Sequence, residues 1–177
     1  MTKSSIMLSR PESHEYPESY KNYVSLVPDG PVLDFLTLLV GISDEAASAD
    51  PEPGRWSLKQ VLGHVCDTER VMSHRALRFA CGDSQELRGF EQDDYVREAH
   101  SDSRTLDDLS AEFESVRQAT IALFASLSPE AEYRSGLANK ARVTVRALAY
   151  VAGGHAQHHY ELLKASFSRQ AKTAANS

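Results

Sequence analysis

The chain has 177 residues, of which 41% are hydrophobic and 25% charged, and this length and balance are typical of one folded domain. Its 19 Lys and Arg against 25 Asp and Glu leave a net charge of −6, which argues against the basic surface of a nucleic-acid-binding protein. No apolar run approaches the ~20 residues of a membrane span, and the start of the sequence has no apolar signal segment. We therefore expect a cytoplasmic protein.

Both ends of the sequence are polar. We expect an amino-terminal arm over residues 1–28, with one short helix around Ser19–Leu26, and a flexible tail over residues 170–177. The segment between them, residues 29–169, has the apolar periodicity of a single helical domain.

The first long helix is predicted over Pro31–Ala47. Proline suits the first turn because the N–H that it lacks would be unpaired there. Leu33, Leu36 and Leu39 then recur at helical spacing. Two prolines and a glycine within residues 48–55 are expected to end the helix.

The second helix, predicted over Leu58–Ala80, has a well-marked start. Ser57 and Gln60 can form a capping box, in which each side chain accepts a hydrogen bond from the backbone N–H of the other residue. Trp56 before the cap and Val61 after it are placed to pack together as a hydrophobic staple.

The third helix is predicted over Leu106–Leu127, with Thr105 near its start as the cap. A long polar connector, Gly82–Arg104, precedes it, and connectors of this length tend to be functional or to contain short helices. A second connector, Pro129–Arg142, follows it. Neither connector shows the alternating pattern of a β-strand.

The fourth helix is predicted over Val145–Ser168, with Thr144 as its N-cap. Every third or fourth residue belongs to a stripe of the kind that faces a helical core, yet that stripe contains His155 and His159. With no strand pattern anywhere in the chain, the sequence predicts an all-α four-helix bundle.

The two histidines in this stripe are the main chemical signal. His155 and His159 are four residues apart, so they lie about 6 Å apart along one face, where two imidazoles can bind one ion. His64, at the edge of the apolar stripe of the second helix, is the best candidate for a third ligand. Three histidine ligands would leave a coordination position open, as in catalytic zinc sites. The alternative is a pair of hydrogen-bonded buried histidines.

Three neighbouring residues are weaker candidates. Asp67, one turn after His64, is a candidate hydrogen-bond partner for a metal-bound imidazole, or a solvated charge. Arg75 returns to the same face, where it could contact an anionic substrate or form a surface ion pair. His158 lies beside the stripe, either as a flanking residue or as a hydrogen-bond partner of a ligand histidine.

Three segments of the sequence resemble the DinB superfamily, which includes the DinB-like and YfiT-like metalloenzymes. They are PGRWSLKQVLGHVCDTERVMSHRALRFA, GFEQDDYV and VTVRALAYVAGGHAQHHYELL. The resemblance implies an up-down-down-up four-helix bundle, a homodimer, and a zinc or nickel ion held by His64, His155 and His159. It also implies, more weakly, a substrate pocket near Arg75, Gln92, Asp93 and Tyr95.

Three functions fit these observations. The leading hypothesis is a transferase that activates a low-molecular-weight thiol at the open metal position for attack on an electrophile. The second is a hydrolase that uses water at the same position. The third is a non-catalytic metal-binding dimeric bundle, in which Asp67 or Glu69 would close the metal site.

Overall fold

The computed structural model of the chain describes residues 8–24, 32–51 and 54–175. The α-helices and strands, in chain order, are α1 (Lys21–Val24), α2 (Val32–Leu39), α3 (Asp44–Ser48), α4 (Leu58–Ala80), α5 (Gln92–Ala99), α6 (Leu106–Ala125), α7 (Pro129–Glu132), β1 (Ser135–Ala138), β2 (Ala141–Thr144) and α8 (Val145–Ala175). Single 3₁₀ turns occur at Ser13–Glu15, Glu18–Tyr20 and Ser101–Ser103. The structure is thus mainly helical, as predicted.

Helix α4 has the predicted bounds because its start is fixed locally. The Gln60 N–H donates to Ser57 Oγ over 3.1 Å, and the Ser57 N–H donates to Gln60 Oε1 over 3.0 Å. This capping box pairs two backbone N–H groups that the helix itself leaves free. Helix α4 packs against both α6 and α8 and is the central element of the bundle.

The apolar core consists of two clusters at opposite ends of α4. One cluster contains Met72 and Phe79 of α4 together with the start of α8. The other contains Leu62 and Val65 of α4 together with α2, α3 and the first half of α6. Phe35 of α2, for example, lies 5.2 Å from Phe113 of α6, measured between ring centroids.

The predicted first helix is wrong as a single element. Helix α2 ends at Leu39 and α3 begins at Asp44, because Gly41 adopts a left-handed backbone conformation with φ +83° that glycine tolerates at little cost. Ser43 then caps α3 by accepting a hydrogen bond from the Ala46 N–H. The expected start at Pro31 and the expected end of the arm helix at Leu26 lie outside the described residues.

The expectation of no strands is also wrong, because the second connector contains a hairpin. Strands β1 and β2 pair antiparallel, with Ser135 opposite Thr144. Asn139 and Lys140 link them with φ values of +51° and +64°, the signs that a tight two-residue hairpin turn needs. In β1 the buried positions are Gly136 and Ala138 whereas Leu137 is exposed, so the sequence shows no alternation of apolar and polar residues there.

The described part of the arm packs onto the bundle. Leu8 and Val24 are buried in its core. The buried Glu15 carboxylate accepts hydrogen bonds from Arg146 of α8 and from the Thr144 hydroxyl. None of the described helices is long and apolar enough to cross a lipid bilayer.

Candidate metal centre

Two helices bring three imidazoles together. His64 lies in the second turn of α4, and His155 and His159 lie in the middle of α8. One ring nitrogen from each of the three lies within 4.8 Å of the others. The ring centroids are 4.6 to 5.1 Å apart. The structure therefore places the three predicted ligands in one cluster, and their role as metal ligands stays a prediction.

The spacing of these nitrogens fits a shared ion. The Nε2 atoms of His64 and His155 are 3.1 Å apart. Two nitrogens bound to one tetrahedral ion at about 2.0–2.1 Å would lie about 3.3–3.4 Å apart. A hydrogen bond between the rings of His64 and His155 would also fit this distance, but it would not involve His159. An ion uses all three rings.

Burial keeps the three imidazoles uncharged. It lowers the pKa of His64 to about 4, an effect that the carboxylate of Asp93 in α5 partly opposes. Burial, together with the nearby His64 and His158, lowers the pKa of His159 to about 3. The pKa of His155 falls well below its usual range for the same kind of reason. At neutral pH each ring thus has a free lone pair, which is the form that binds a metal.

The acidic residues proposed as a closing ligand are paired elsewhere. Asp67 contacts Arg70 on the flank of α4, and the buried Glu69 lies 2.9 Å from the guanidinium of Arg117 in α6. Within the described residues, the cluster contains His64 and its two partners on α8 but no carboxylate or thiol. The described residues therefore offer three imidazole nitrogens at this point, and the structure does not bring Asp67 to them.

A pocket of about 420 Å³, most of whose lining residues have polar side chains, opens beside His155. Its floor is formed by Thr68 and Arg75 of α4, both buried. Its lining residues are Ser19, Tyr20, Tyr23, Thr68, Met72, Arg75, Gly89, Phe90, Glu91, Gln92, Asn139, Val151 and His155. Arg75 is thus a buried pocket residue and not a member of a surface ion pair, and Gln92 lies on the exposed rim.

A second, mainly apolar pocket of about 440 Å³ opens beside His159. Its lining residues are Pro51, Gly54, Arg55, Trp56, Val61, His159, Leu162, Leu163 and Ser166. The Trp56 ring lies 4.8 Å from that of His64, so this residue, predicted only as a staple, is also a wall of the site. The histidine cluster therefore has a polar pocket at His155 and an apolar pocket at His159.

Other predicted residues take up different positions. His158 is half-buried and meets the rings of His159 and Tyr23 edge-on. Tyr95 is 45% exposed and packs against Phe90 instead of lining the pocket.

Three polar side chains of this pocket that the sequence did not predict as site residues are Thr68, Tyr20 and Tyr23. Thr68 follows His64 by one turn, so the helical periodicity could have indicated it. Tyr20 and Tyr23 belong to the polar arm, and no local pattern connects them to the site. Tyr23 reaches His155 because α1 lies directly on Gly154, where a Cβ atom would come within 2.0 Å of the Tyr23 carbonyl oxygen.

The fold and the site define a helical-bundle protein with a buried three-histidine cluster of the metal-ligating type. The chain belongs to the DinB superfamily, whose family model matches residues 34–163. The resemblance seen in the sequence is thereby confirmed. No curated protein has significant sequence similarity to the chain.

Two solved structures share the fold. YfiT from Bacillus subtilis, described as a probable metal-dependent hydrolase with an unusual four-helix bundle topology, has a TM-score of 0.74 at 14% identity, over 92% of this chain and 94% of its own. A mycothiol-dependent maleylpyruvate isomerase has a TM-score of 0.61 at 11% identity, over 78% of this chain and 61% of its own. At these identities the likeness establishes the four-helix bundle fold.

Proposed function

We propose that this chain is a metal-dependent enzyme of the DinB type that transfers a low-molecular-weight thiol to an electrophile. His64, His155 and His159 would hold a divalent ion, zinc or nickel, with a position open to the thiol. The single observation that carries this proposal is the presence of two chemically different pockets at one histidine cluster. A transfer between two substrates needs both, whereas hydrolysis needs room for one substrate and a water.

The bound ion would lower the pKa of a thiol or a water, and so supply a nucleophile at neutral pH. The chain's own residues would bind and orient the two substrates. Arg75 and Thr68 would hold the polar part of the thiol beside His155. Trp56 and Val61 would hold the apolar part of the electrophile beside His159 and would exclude water from it.

The two structural neighbours support both candidate reactions. The isomerase depends on mycothiol, a low-molecular-weight thiol, and YfiT is described as a probable hydrolase. The hydrolase reaction is the second candidate here because the same cluster could bind water. The two differ in one respect that can be measured, namely whether turnover requires an added thiol.

The metal is tested with protein purified without an affinity tag. We expect about one zinc or nickel ion per chain, and a loss of that ion in the variant His159→Ala. The variant His74→Ala is the matched control, because His74 lies on the exposed side of α4 outside the cluster. Absence of a stoichiometric metal, with His159→Ala equal to the unaltered chain, would overturn the proposal.

The reaction is tested with a model electrophile and a panel of thiols. We expect turnover only when a thiol is present, and none in His159→Ala. Turnover of an ester or amide without thiol would instead establish the hydrolase. A metal-loaded protein that turns over neither class would favour the non-catalytic bundle.

We also propose a homodimer acting in the cytoplasm, where thiols are kept reduced. The homodimer follows from the family resemblance. Sedimentation at micromolar concentration is expected to give a particle of about twice 19.6 kDa. A particle of one chain would contradict the dimer.

A further inference from the structure

Arg75 is a buried cation without an anionic partner. The other buried charged side chains of the described residues each have one: Lys59 pairs with Asp44, Glu69 with Arg117, and Glu15 with Arg146. Arg75 is 3% exposed, yet no described carboxylate lies within 4 Å of its guanidinium. Arginine is rarely buried unless it is paired.

The contacts of this guanidinium are with neutral groups. Its Nη1 atom donates to the Tyr20 hydroxyl over 3.3 Å and to the Met72 sulfur over 3.9 Å. Its Nη2 atom donates to the carbonyl of Arg88 over 3.0 Å. These contacts hold the side chain in place, but they leave its positive charge without compensation.

A second polar group in the same pocket also lacks a partner. The Thr68 hydroxyl is buried and has no hydrogen-bond partner, and both Thr68 and Arg75 line the pocket that includes His155. A buried hydroxyl without a partner is costly, so both observations indicate a polar ligand in this pocket. Glu91 also lines it, but its side chain is exposed at the rim.

The charge of the pocket favours a carboxylate over a phosphate. Among the described residues that line this pocket, Arg75 is the only Lys or Arg. A single guanidinium compensates one negative charge and can bind a carboxylate through two hydrogen bonds. A phosphate monoester carries nearly two charges at neutral pH, and Glu91 at the rim would repel the excess.

The ligand must also be elongated. Arg75 follows His64 by eleven residues, about 16 Å along the axis of α4. Both side chains point back toward the start of the helix, and the gap is shortened by a few ångströms because the arginine side chain is longer than that of histidine. We propose that Arg75 and Thr68 bind the carboxylate end of an elongated substrate whose other end reaches the histidine cluster. This assignment rests on the proposed function and names the substrate class as carboxylate-bearing thiols.

The test compares two thiols that differ in one group, mercaptooctanoate and mercaptooctanol. The protein is loaded with Co²⁺, and thiol binding is followed by the sulfur-to-cobalt charge-transfer absorption. We expect the carboxylate to bind about ten- to a hundredfold more tightly, the range of a charge-assisted hydrogen bond. Equal affinity of the two thiols for the cobalt-loaded protein would overturn the proposal.

Variants then assign the preference to Arg75. In Arg75→Gln the two thiols should bind with nearly equal affinity, whereas Arg75→Lys should retain part of the preference because it keeps the charge. Arg78→Gln is the matched control, since it removes the same charge one turn further along α4, where Arg78 contacts Asp83 outside the pocket. An unchanged preference in Arg75→Gln would overturn the proposal. If Arg75→Gln does not fold, Thr68→Val and Arg75→Lys must each reduce the preference.

A metal-free measurement separates this inference from the proposed function. Adipate should raise the Tm of the metal-free protein, while hexanediol and inorganic phosphate at equal concentration should raise it less. If the protein does not bind cobalt, the proposed function is overturned, and the Tm change with adipate alone then decides whether the carboxylate site exists. If the protein binds cobalt but shows neither an adipate effect nor a thiol preference, the carboxylate site is overturned and the proposed metal site stands.

Discussion

The Nε2 atoms of His64 and His155 lie 3.1 Å apart although 91 residues separate them in the chain. They meet because α4 and α8 pack side by side along the bundle. His159, one turn further along α8, completes the group. Since each ring is buried or half-buried and uncharged, the three lone pairs need a partner, and a single cation can provide it.

Removal of the metal should lower stability. Binding to the folded chain alone adds about 2.7 kcal/mol at a free metal concentration 100 times Kd. For a chain of this size that corresponds to a Tm change of roughly 5–10 °C. Differential scanning calorimetry before and after dialysis against a chelator measures it. In His64→Ala the chelator should have no effect, whereas His74→Ala should respond like the unaltered chain. A Tm insensitive to both chelator and added metal would contradict the prediction.

The ion pair between Glu15 and Arg146 should make the free energy of unfolding fall as the pH is lowered into the acid range. Burial raises the pKa of Glu15, but the hydrogen bonds from Arg146, the Glu12 N–H and Thr144 outweigh it, and the pKa falls from 4.5 to about 2. Because the folded-state pKa is lowered, the stabilisation is present above pH 4.5 and is lost as the pH falls toward 2. It amounts to about 3 kcal/mol.

Glu15→Gln tests this pair by urea unfolding across the pH range. We expect a loss of about 3 kcal/mol or more at pH 7, since Arg146 would remain buried without its partner. The difference between variant and unaltered chain should shrink below pH 4. Glu18→Gln is the control, because the ion pair of Glu18 with Lys21 is exposed and should contribute well under 1 kcal/mol. A constant difference at all pH values would exclude titration of Glu15 as the cause.

Gly154→Ala should push the arm away from α8. The new Cβ would lie 2.0 Å from the Tyr23 carbonyl oxygen, so the backbone of α1 must move, at a cost of about 1–3 kcal/mol. Tyr23 would then lose its edge-on contact with His155. Unfolding equilibria measure the cost, and limited proteolysis of the arm detects the displacement. A gain of about 1 kcal/mol, as helix propensity alone predicts, would show that no such close approach exists.

The core pair Glu69 and Arg117 should show strong coupling. The carboxylate and guanidinium lie 2.9 Å apart and are 1% and 7% exposed, and burial raises the pKa of Glu69 while the charge of Arg117 opposes that effect. Arg117→Met should destabilise by about 3–5 kcal/mol because it leaves a buried carboxylate unpaired. The double variant Glu69→Leu with Arg117→Met should lose less than the sum of the two single variants. Additive losses in this double-mutant cycle would mean that the two charges do not interact.

Sequence alone determined the features whose causes are local. The span of α4 follows from the capping box at Ser57 and from apolar periodicity, and both act within a few residues. The spacing of His155 and His159 likewise places them on one face of any helix. The all-α bundle was predicted for the same reason, since the periodicity of four segments decides the fold class.

The tertiary structure decided what depends on contacts between distant segments. The helix break at Gly41 and the short hairpin at Asn139 depend on backbone conformations that a periodic pattern cannot show. Arg75 was left open between a substrate contact and a surface ion pair, because burial depends on which elements cover a helix face. The arm covers that face with Tyr20 and Tyr23, and it does so because Gly154 lets its backbone approach α8. A contact between residues more than a hundred positions apart produces no pattern within a short window of the sequence.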